Sequence, residues 1–299
     1  MIETFLLIHF NRTPILPQRT VVIGGGGFVG GAVVARLMAK GAGVVSVARS
    51  DVDLLASNAA EKLAAFLHPG DAVVAAAARV PCKNMNMLID NMIMIRAMLD
   101  ALARVEPSHV VNISSDAVYP DQPLPLNEKI PPAPTTLHGA MHLVREIGFV
   151  GQIKAPLANL RLTLAYGIGD PHNGYGPNRF LRQVSGEKDI VLFGEGEERR
   201  DHVFIEDIAD LIVRVLAYRS RGILNIATGT VHSFRGIAEK ALELTDNKVS
   251  FVTQPRQGPM PHNGYRPFDI SVLRTAFPDF NFTPLPEGMA KVHRAMTSL

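Results

Sequence analysis

The amino-acid sequence predicts an α/β fold, a doubly wound parallel sheet with a smaller mixed α/β lobe after it. Short apolar, β-branched runs alternate with segments of helical spacing, and the first run ends in a cluster of glycines. Apolar strands separated by helices favour a parallel sheet that is covered on both faces. The expected strands are residues 21–23, 44–47, 72–78, 110–113 and 159–164. The expected helices are residues 28–38, 58–67, 87–105 and 138–150, with shorter ones at about 205–218 and 234–244.

The glycine cluster suggests what the first strand–helix unit binds. Gly24, Gly27 and Gly30 follow the first strand, and a segment of helical spacing begins at Phe28 and Val29. Without a Cβ atom, glycines let the chain turn sharply and let backbone N–H groups approach a pyrophosphate at the N-terminus of the helix. Glycines also cluster in ordinary turns, but strand, helix and second strand in this order favour a dinucleotide-binding unit of the Rossmann type.

Composition excludes several other classes of protein. The chain has 299 residues, 47% of them hydrophobic and 19% charged, with a formal net charge of +2. Without a basic or acidic run, neither nucleic acid nor a membrane surface is expected as the main partner. Cys82 is the single cysteine, which excludes an internal disulfide or a cysteine metal cluster and fits a cytoplasmic location. The apolar residues 5–10 are too few to cross a bilayer, and secretion is not expected.

Three regions are expected along the chain. Residues 1–18 form an N-terminal leader, either an additional edge strand or an ordered arm. Residues 19–166 form the dinucleotide-binding domain, to which a later segment at about 201–230 returns. Residues 167–299, rich at first in glycine, proline and asparagine, form mainly a substrate-binding lobe.

Several motifs in a fixed order resemble one family. They are the glycine pattern of Gly24, Gly27 and Gly30, the small residues Ala75, Ala76 and Ala77, the helix residue Asn91, the segment 114–119, the segment 199–209 and the segment 225–229. Over about residues 20–285 the chain resembles the extended short-chain dehydrogenases/reductases, the NAD-dependent epimerase/dehydratase group that acts mostly on nucleotide sugars. The resemblance implies that the glycines, Phe28, Val29, the three alanines and Asn91 contact the cofactor.

The end of the second strand indicates the cofactor. Family members that bind NAD carry an acidic residue there, whereas this chain has Ala48 followed by Arg49. An arginine suits the 2′-phosphate of NADP. We therefore expect NADP, with NAD as the alternative, unless Arg49 is simply an exposed side chain.

The resemblance breaks at the catalytic pair. The family has Tyr-x-x-x-Lys on a helix, and the matching positions here are His138 and His142. His138 could act as the acid/base because imidazole titrates near neutral pH, or the site could have lost its chemistry and kept only binding. The spacing is also one that can bind zinc, although no further ligands are evident and no metal is expected. Catalysis from Asp116 or Tyr166 remains a further alternative.

The same resemblance implies roles for the neighbouring residues. Ser115 would orient the substrate oxygen, or serve only as a cap, and Asp116 resembles the acid of the family's dehydratases. The adjacent dehydratase glutamate is Ala117 here, which argues against dehydration. For the substrate, Arg200, Arg256 and Asn178 would contact a diphosphate, and Tyr166 would be a further substrate contact. Phe193 would stack on the base, with a core phenylalanine as the equal alternative.

These observations predict an NAD(P)-dependent nucleotide-sugar epimerase or ketoreductase with an atypical acid/base. The alternative is a non-catalytic NAD(P)-binding protein with a sensing or structural role. The resemblance also implies a homodimer that forms through the helices at 91–105 and 138–150.

Overall fold

The computed structural model describes residues 6–245 and 249–298. Within them the helices are α1 (Phe28–Ala39), α2 (Ala59–Ala64), α3 (Met85–Arg104), α4 (Leu137–Gln152), α5 (Pro177–Ser185), α6 (Ile205–Ala217), α7 (Phe234–Glu243), α8 (Ser271–Ala276) and α9 (Leu285–Thr297). The strands are β1 (Arg19–Ile23), β2 (Gly43–Val47), β3 (Ala72–Ala75), β4 (His109–Ser115), β5 (Leu157–Leu162), β6 (Leu164–Tyr166), β7 (Ile190–Phe193), β8 (Arg199–Arg200), β9 (His202–Phe204), β10 (Gly222–Ile226), β11 (His232–Ser233), β12 (Phe251–Gln254) and β13 (Tyr265–Arg266).

The central sheet is parallel throughout, which confirms the predicted fold class. Its six strands lie in the order β10-β5-β4-β3-β1-β2. The chain builds the sheet outward from β1 in one direction to β2 and in the other to β3. The strand order therefore reverses between β1 and β3, and doubly wound sheets bind their ligands in the crevice at such a point.

Both faces of the sheet are covered by helices because the apolar strand residues alternate between two cores. Val22 packs with α1 and α6 on one face, whereas Val21 and Ile23 pack with α2, α3 and α4 on the other. All three side chains are at most 1% exposed. Burying a side chain of this size stabilises the fold by about 1.5–3 kcal/mol.

The N-terminal segment lies along the outer edge of this sheet. The Ile8 N–H donates to the Arg221 carbonyl, and the Ile8 carbonyl accepts the Arg221 N–H, both at 2.9 Å. Leu6 forms a bridge with Ile223 of β10. His9 adds side-chain bonds to the Ser220 hydroxyl at 2.8 Å and to the Ala276 carbonyl. These contacts cover the exposed side of the edge strand β10 and of the two residues that precede it.

The remaining strands form small sheets outside the central one. β7 pairs with β12, β8 lies between β11 and β13, and β6 pairs with β9. α5 packs against α7 and α9 in the same region. No helix in the described ranges is long and apolar enough to cross a bilayer.

Some boundaries differ from the expected ones. The helix expected at 58–67 is only α2, and the strand expected at 72–78 ends at Ala75. β3 ends there because its partner β1 stops at Ile23, where the chain turns away at Gly24; the last bond is from the Ala76 N–H to the Ile23 carbonyl, at 2.9 Å. The apolar run expected at 159–164 divides into the end of β5 and the start of β6.

Candidate functional site

The glycine-rich loop that leads from β1 into the first turn of α1, residues 24–30, lies at the point where the strand order reverses, and we call it the glycine cradle. Gly24 has a φ of +89°, and a Cβ atom there would lie 2.7 Å from the Ala77 nitrogen. A Cβ atom on Gly30 would overlap the Gly24 carbonyl oxygen and lie 2.8 Å from its carbonyl carbon. Such separations are too short for real Cβ atoms, so both positions require glycine.

The N-terminus of α1 opens at the same loop. Gly27 is its N-cap, no side chain caps the helix, and its first turn carries no acidic residue. The N–H groups of this turn and the helix dipole favour an anion. Phe28 and Val29 begin the helix and pack against the core. The arrangement fits the pyrophosphate of a dinucleotide.

Arg49 lies just beyond β2 with its side chain 78% exposed and the nearest carboxylate, that of Asp53, 3.9 Å away. The other nearby carboxylate, Asp51, is turned back to accept the Ala48 N–H at 2.8 Å. The guanidinium of Arg49 is therefore accessible to a ligand.

Asn91 uses its amide within the protein. Its Oδ1 accepts the Arg79 N–H at 2.9 Å, and its Nδ2 donates to the carbonyl oxygens of Arg79 at 3.0 Å and Met87 at 2.8 Å. The side chain is 1% exposed. Asn91 thus orders the loop that follows β3, and both donors of its amide are used within the protein.

The two histidines lie one turn apart at the start of α4. The helix begins after Thr136, whose Oγ1 accepts the Gly139 N–H at 3.1 Å. The ring centroids of His138 and His142 are 4.7 Å apart in an edge-to-face arrangement. The Cys82 N–H lies 3.5 Å from His138 Nδ1, at the outer limit of a hydrogen bond.

Burial keeps both imidazoles neutral. It lowers the pKa of His138, and the nearby Asp116 carboxylate opposes this only partly. The pKa of His142 is well below its ordinary value because of burial first, and then of His138 and Arg145. His142 is 5% exposed, and its Nδ1 has no hydrogen-bond partner. The described residues contain no cluster of three or more side chains that could hold a metal.

β4 delivers Ser115 and Asp116 next to this helix. A Cβ atom on Gly139 would overlap the Ala117 carbonyl oxygen, which shows how closely α4 packs on the turn after β4. Ser115 Oγ accepts the Ala117 N–H at 3.2 Å and donates to Asp116 Oδ1 at 3.3 Å. Asp116 Oδ2 accepts from Nε of the buried Arg266 at 2.7 Å.

The predicted phosphate-binding arginines share one carboxylate. Glu198 contacts Arg200 Nη2 at 2.5 Å and Arg256 Nη1 at 3.1 Å. Arg266 pairs in register with Arg200 across β13 and β8. Arg200 Nη1 and Arg256 Nε are buried without partners. An anion that reached these atoms would satisfy them.

Asn178 and Phe193 pack within the lobe. Asn178 accepts the Gly167 N–H at 3.1 Å and donates to Asp170 at 2.8 Å, so its amide holds the loop before α5. The Phe193 ring lies 5.0 Å from that of Tyr175, and its carbonyl accepts from Arg256 at 3.2 Å. Phe193 is half-buried and keeps part of its surface accessible.

Tyr166 does not lie at the crevice. It is 1% exposed, and a Cβ atom on Gly288 of α9 would overlap its hydroxyl group. Burial raises its pKa. β6 turns this ring into the core because it pairs with β9 and not with the central sheet. The structure therefore brings Tyr166 to neither the predicted substrate contact nor the alternative catalytic role.

Two arginines that sequence analysis missed adjoin the predicted residues. Arg266 lies beside Arg200 and binds Asp116, and Arg145 of α4 binds the carbonyl oxygens of Ala75 and Ala77. The available signal at Arg145 was its place three residues after His142, which puts both on the same face of α4.

Two cavities of about 360 and 350 Å³ lie elsewhere in the lobe. The first is lined by residues that include His202, Thr228 and Phe282, and both touch His232. None of the predicted site residues lines either one. We assign the site to the crevice because the glycines, the strand ends and the histidines meet there.

The chain belongs to the NAD dependent epimerase/dehydratase family, whose model matches residues 20–227. A curated relative, the dTDP-6-deoxy-L-talose 4-dehydrogenase (NAD(P)(+)) of Kitasatospora kifunensis, is 27% identical over 284 residues, 86% of this chain and 89% of the relative. The family and this relative are NAD-dependent enzymes, which supports an enzymatic function here.

Solved structures share the fold. The UDP-glucose 4-epimerase of Thermotoga maritima, solved with UDP-glucose, has 20% identity and a TM-score of 0.80, and the match covers 94% of this chain and 99% of that one. The UDP-glucose 4-epimerase of Thermus thermophilus, solved with NAD, has 22% identity and a TM-score of 0.77 over 93% of this chain and 99% of that one.

Proposed function

We propose that this protein is an NAD(P)-dependent epimerase or ketoreductase that acts on nucleotide sugars. One observation carries the proposal: the glycine cradle, the end of β3 and the two histidines of α4 meet at one edge of the sheet. The relatives described above act on, or were solved with, nucleotide sugars, which supports the substrate class. A bound nicotinamide would supply the hydride acceptor and donor.

Backbone groups would hold the cofactor. The uncapped N–H groups at the start of α1, just after Gly27, suit the pyrophosphate, and the glycines at Gly24 and Gly30 allow the close approach of the loop that places them. Ala75, Ala76 and Ala77 leave room beside the nicotinamide ribose. The three alanine positions present no bulky or charged side chain to the crevice.

Arg49 would bind the 2′-phosphate of NADP. We expect Arg49→Ala to weaken NADP binding more than NAD binding, because only NADP carries that phosphate. Arg274→Ala, at an exposed arginine of α8, is the matched control and should change neither affinity. Calorimetry measures the dissociation constants of NADP and NAD for wild type and both variants, and equal losses for the two nucleotides at Arg49 would sink the assignment.

His138 would exchange the proton of the substrate hydroxyl. Its neutral imidazole can accept a proton at neutral pH without a neighbouring ammonium group. Ser115 would orient the substrate oxygen, Asp116 lies beside it as a carboxylate held by Arg266, and the buried His142 would help to place the ribose.

The test is turnover of a panel of nucleotide sugars by wild type and His138→Ala. We expect kcat to fall by about 100-fold or more, the usual worth of a general acid/base, with cofactor affinity retained. Gln152→Ala, at an exposed position near the end of α4, is the control and should keep kcat. Turnover that survives in His138→Ala would remove this histidine from the mechanism.

Arg200 would bind the substrate diphosphate, with Arg256 and Arg266 beside it. Its Nη1 atom is buried and without a partner, and a diphosphate oxygen would provide one. Asn178 would shape the loop, and Phe193 would offer its ring to the base. Arg200→Met should raise KM for the nucleotide sugar and leave the dissociation constant of the cofactor unchanged.

A non-catalytic NAD(P)-binding protein is the second candidate. One observation favours it: the Ser115 hydroxyl and the Asp116 carboxylate are already engaged with protein partners. Tight nucleotide binding with no turnover across the whole panel, in wild type, would select this candidate.

We further propose a homodimer through α3 and α4. Ile89 of α3 is 52% exposed, and the α4 residues Val144, Ile147 and Val150 are 47%, 48% and 45% exposed. Exposed apolar side chains on two neighbouring helices suit burial against a second copy. Ile147→Lys should yield monomers by light scattering, and an unchanged mass would contradict this interface.

The domain division remains our proposal as well. We place the nucleotide-binding domain at residues 19–166, with a return at about 201–230, because β10 lies in the central sheet. We place the lobe at residues 167–299 because β7, β8 and β11 to β13 lie outside that sheet. A cytoplasmic location, supported by the lone Cys82, would be tested by fractionation.

A further inference from the structure

A buried cation without a carboxylate partner lies under the end of β3. Arg145 is 1% exposed, and its three nitrogens donate to Asn112 Oδ1 at 2.5 Å, to the Ala77 carbonyl at 2.7 Å and to the Ala75 carbonyl at 2.6 Å. Among the described residues its hydrogen-bond acceptors are all neutral oxygens. Glu146, the next residue along the chain, is a carboxylate, but it pairs with Arg161 at 2.7 Å and not with Arg145.

The charge of this guanidinium persists in the folded protein. Burial lowers the pKa of Arg145 only to about 10, so the group remains protonated at neutral pH. Its guanidinium carbon lies 5.4 Å from the centroid of the Phe149 ring, and Asn112, which accepts from Arg145, donates in turn to Asn159 Oδ1 at 2.8 Å. None of these neighbours carries charge.

The groups around the crevice leave this charge uncompensated. His138 and His142 are neutral because of burial. The Asp116 carboxylate at the site is paired with Arg266 at 2.7 Å. Inside a protein a fixed charge acts over a longer range than in water because screening is weaker.

The peptide groups that Arg145 holds are those that touch the glycine cradle. The Ala77 nitrogen lies 2.7 Å from the place of a Cβ atom on Gly24, and the Ala77 carbonyl is bound by Arg145. The side chain therefore fixes the wall of the crevice and also supplies its positive charge. These two effects act differently on a nicotinamide, whose ring is cationic when oxidised and uncharged when reduced.

We propose that Arg145 makes this site prefer the reduced dinucleotide over the oxidised one, while it positions the Ala75–Ala77 strand end for either form. The inference rests on the proposed function, because it requires a nicotinamide in the crevice. The positioning effect changes both affinities alike, whereas the charge changes their ratio.

The experiment measures dissociation constants of the oxidised and reduced nucleotide by calorimetry, without any substrate. Arg145→Met removes the charge and keeps a long side chain, and we expect the preference for the reduced form to fall by about tenfold, which corresponds to about 1.4 kcal/mol. Arg145→Lys keeps the charge and should retain most of the ratio, although both affinities weaken. Arg104→Met, at an exposed arginine at the end of α3, is the control and should change neither.

A second variant covers the case in which Arg145→Met does not fold. Asn112→Asp is isosteric and places a carboxylate at the atom that Arg145 Nε already contacts, so it neutralises the charge without removing the side chain. We expect the same loss of preference. An unchanged ratio in whichever of these two variants folds overturns this inference and leaves the proposed function standing. Failure of wild type to bind either nucleotide removes both.

Discussion

Gly30 and Gly31 offer a matched pair of substitutions for the cofactor cradle. They are neighbours in the first turn of α1, and alanine improves the intrinsic helix propensity at both by about 1 kcal/mol. A Cβ atom on Gly31 would meet its nearest neighbour, the Gly25 carbonyl oxygen, at 3.4 Å, an ordinary contact. On Gly30 it would overlap the Gly24 carbonyl oxygen, which is backbone and cannot rotate away.

The difference in unfolding free energy between Gly30→Ala and Gly31→Ala measures how much a side chain at Gly30 disturbs the glycine cradle. We expect Gly31→Ala to be neutral or up to about 1 kcal/mol more stable than wild type. Gly30→Ala has to push the loop away from the helix, and forced overpacking of this kind costs about 1–3 kcal/mol. The displaced loop also carries the N–H groups that would hold the pyrophosphate, so we expect dinucleotide affinity to fall by about tenfold or more.

Urea unfolding measures the stabilities, and calorimetry measures nucleotide binding. Equal affinity and equal stability in Gly30→Ala and Gly31→Ala would refute the reasoning, because it would mean that the loop needs no close approach at Gly30. Loss of stability alone, with nucleotide affinity retained, would keep the packing argument and separate this loop from the cofactor site.

Two further predictions concern stability. Glu146→Gln breaks a buried ion pair with Arg161 and should cost about 3–5 kcal/mol in urea unfolding, whereas Lys240→Gln, in a surface pair, should change less than about 1 kcal/mol; similar losses would contradict this difference in burial. Burial holds the pKa of His202 at about 3, so below its ordinary value of 6.5 the folded state binds fewer protons than the unfolded chain. Stability present above pH 6.5 is thus lost as the pH falls towards 3, by about 1.4 kcal/mol per pH unit, and His202→Phe should remove this part of the slope between pH 6.5 and 4.5. An identical pH dependence in the variant would disprove it.

The alternation of apolar runs and helical segments predicted the parallel sheet, because the burial of a strand on both faces shows in the residues of that strand itself. Strands buried on both faces are mainly apolar and β-branched, and this helps to distinguish them from the helices between them, although β4 and β5 also carry buried polar residues such as Asn112 and Asn159. The need for glycine at Gly24 and Gly30 is also readable, since a tight turn between a strand and a helix leaves no room for a side chain. Boundaries were less accurate where the end of an element depends on a distant partner, as at Ala75, which ends β3 because β1 turns away.

The polar contacts of the site depend on partners that sequence spacing does not reveal. Arg266 reaches Asp116 across 150 positions and Arg145 reaches Ala75 across 70. Arg145 was visible as a charged residue near His142 on α4, but two of its three acceptors are backbone carbonyls, which every residue has. Asn91 shows the opposite case, because an asparagine that matches a family position uses its amide for the loop at Arg79. A charge that the family motif would place at His142 is thus absent there, and the structure carries one a turn later, at Arg145. The charge at this crevice therefore depends on tertiary packing and not on the family motif. The affinities of the oxidised and reduced nucleotide are the quantities that this charge would change.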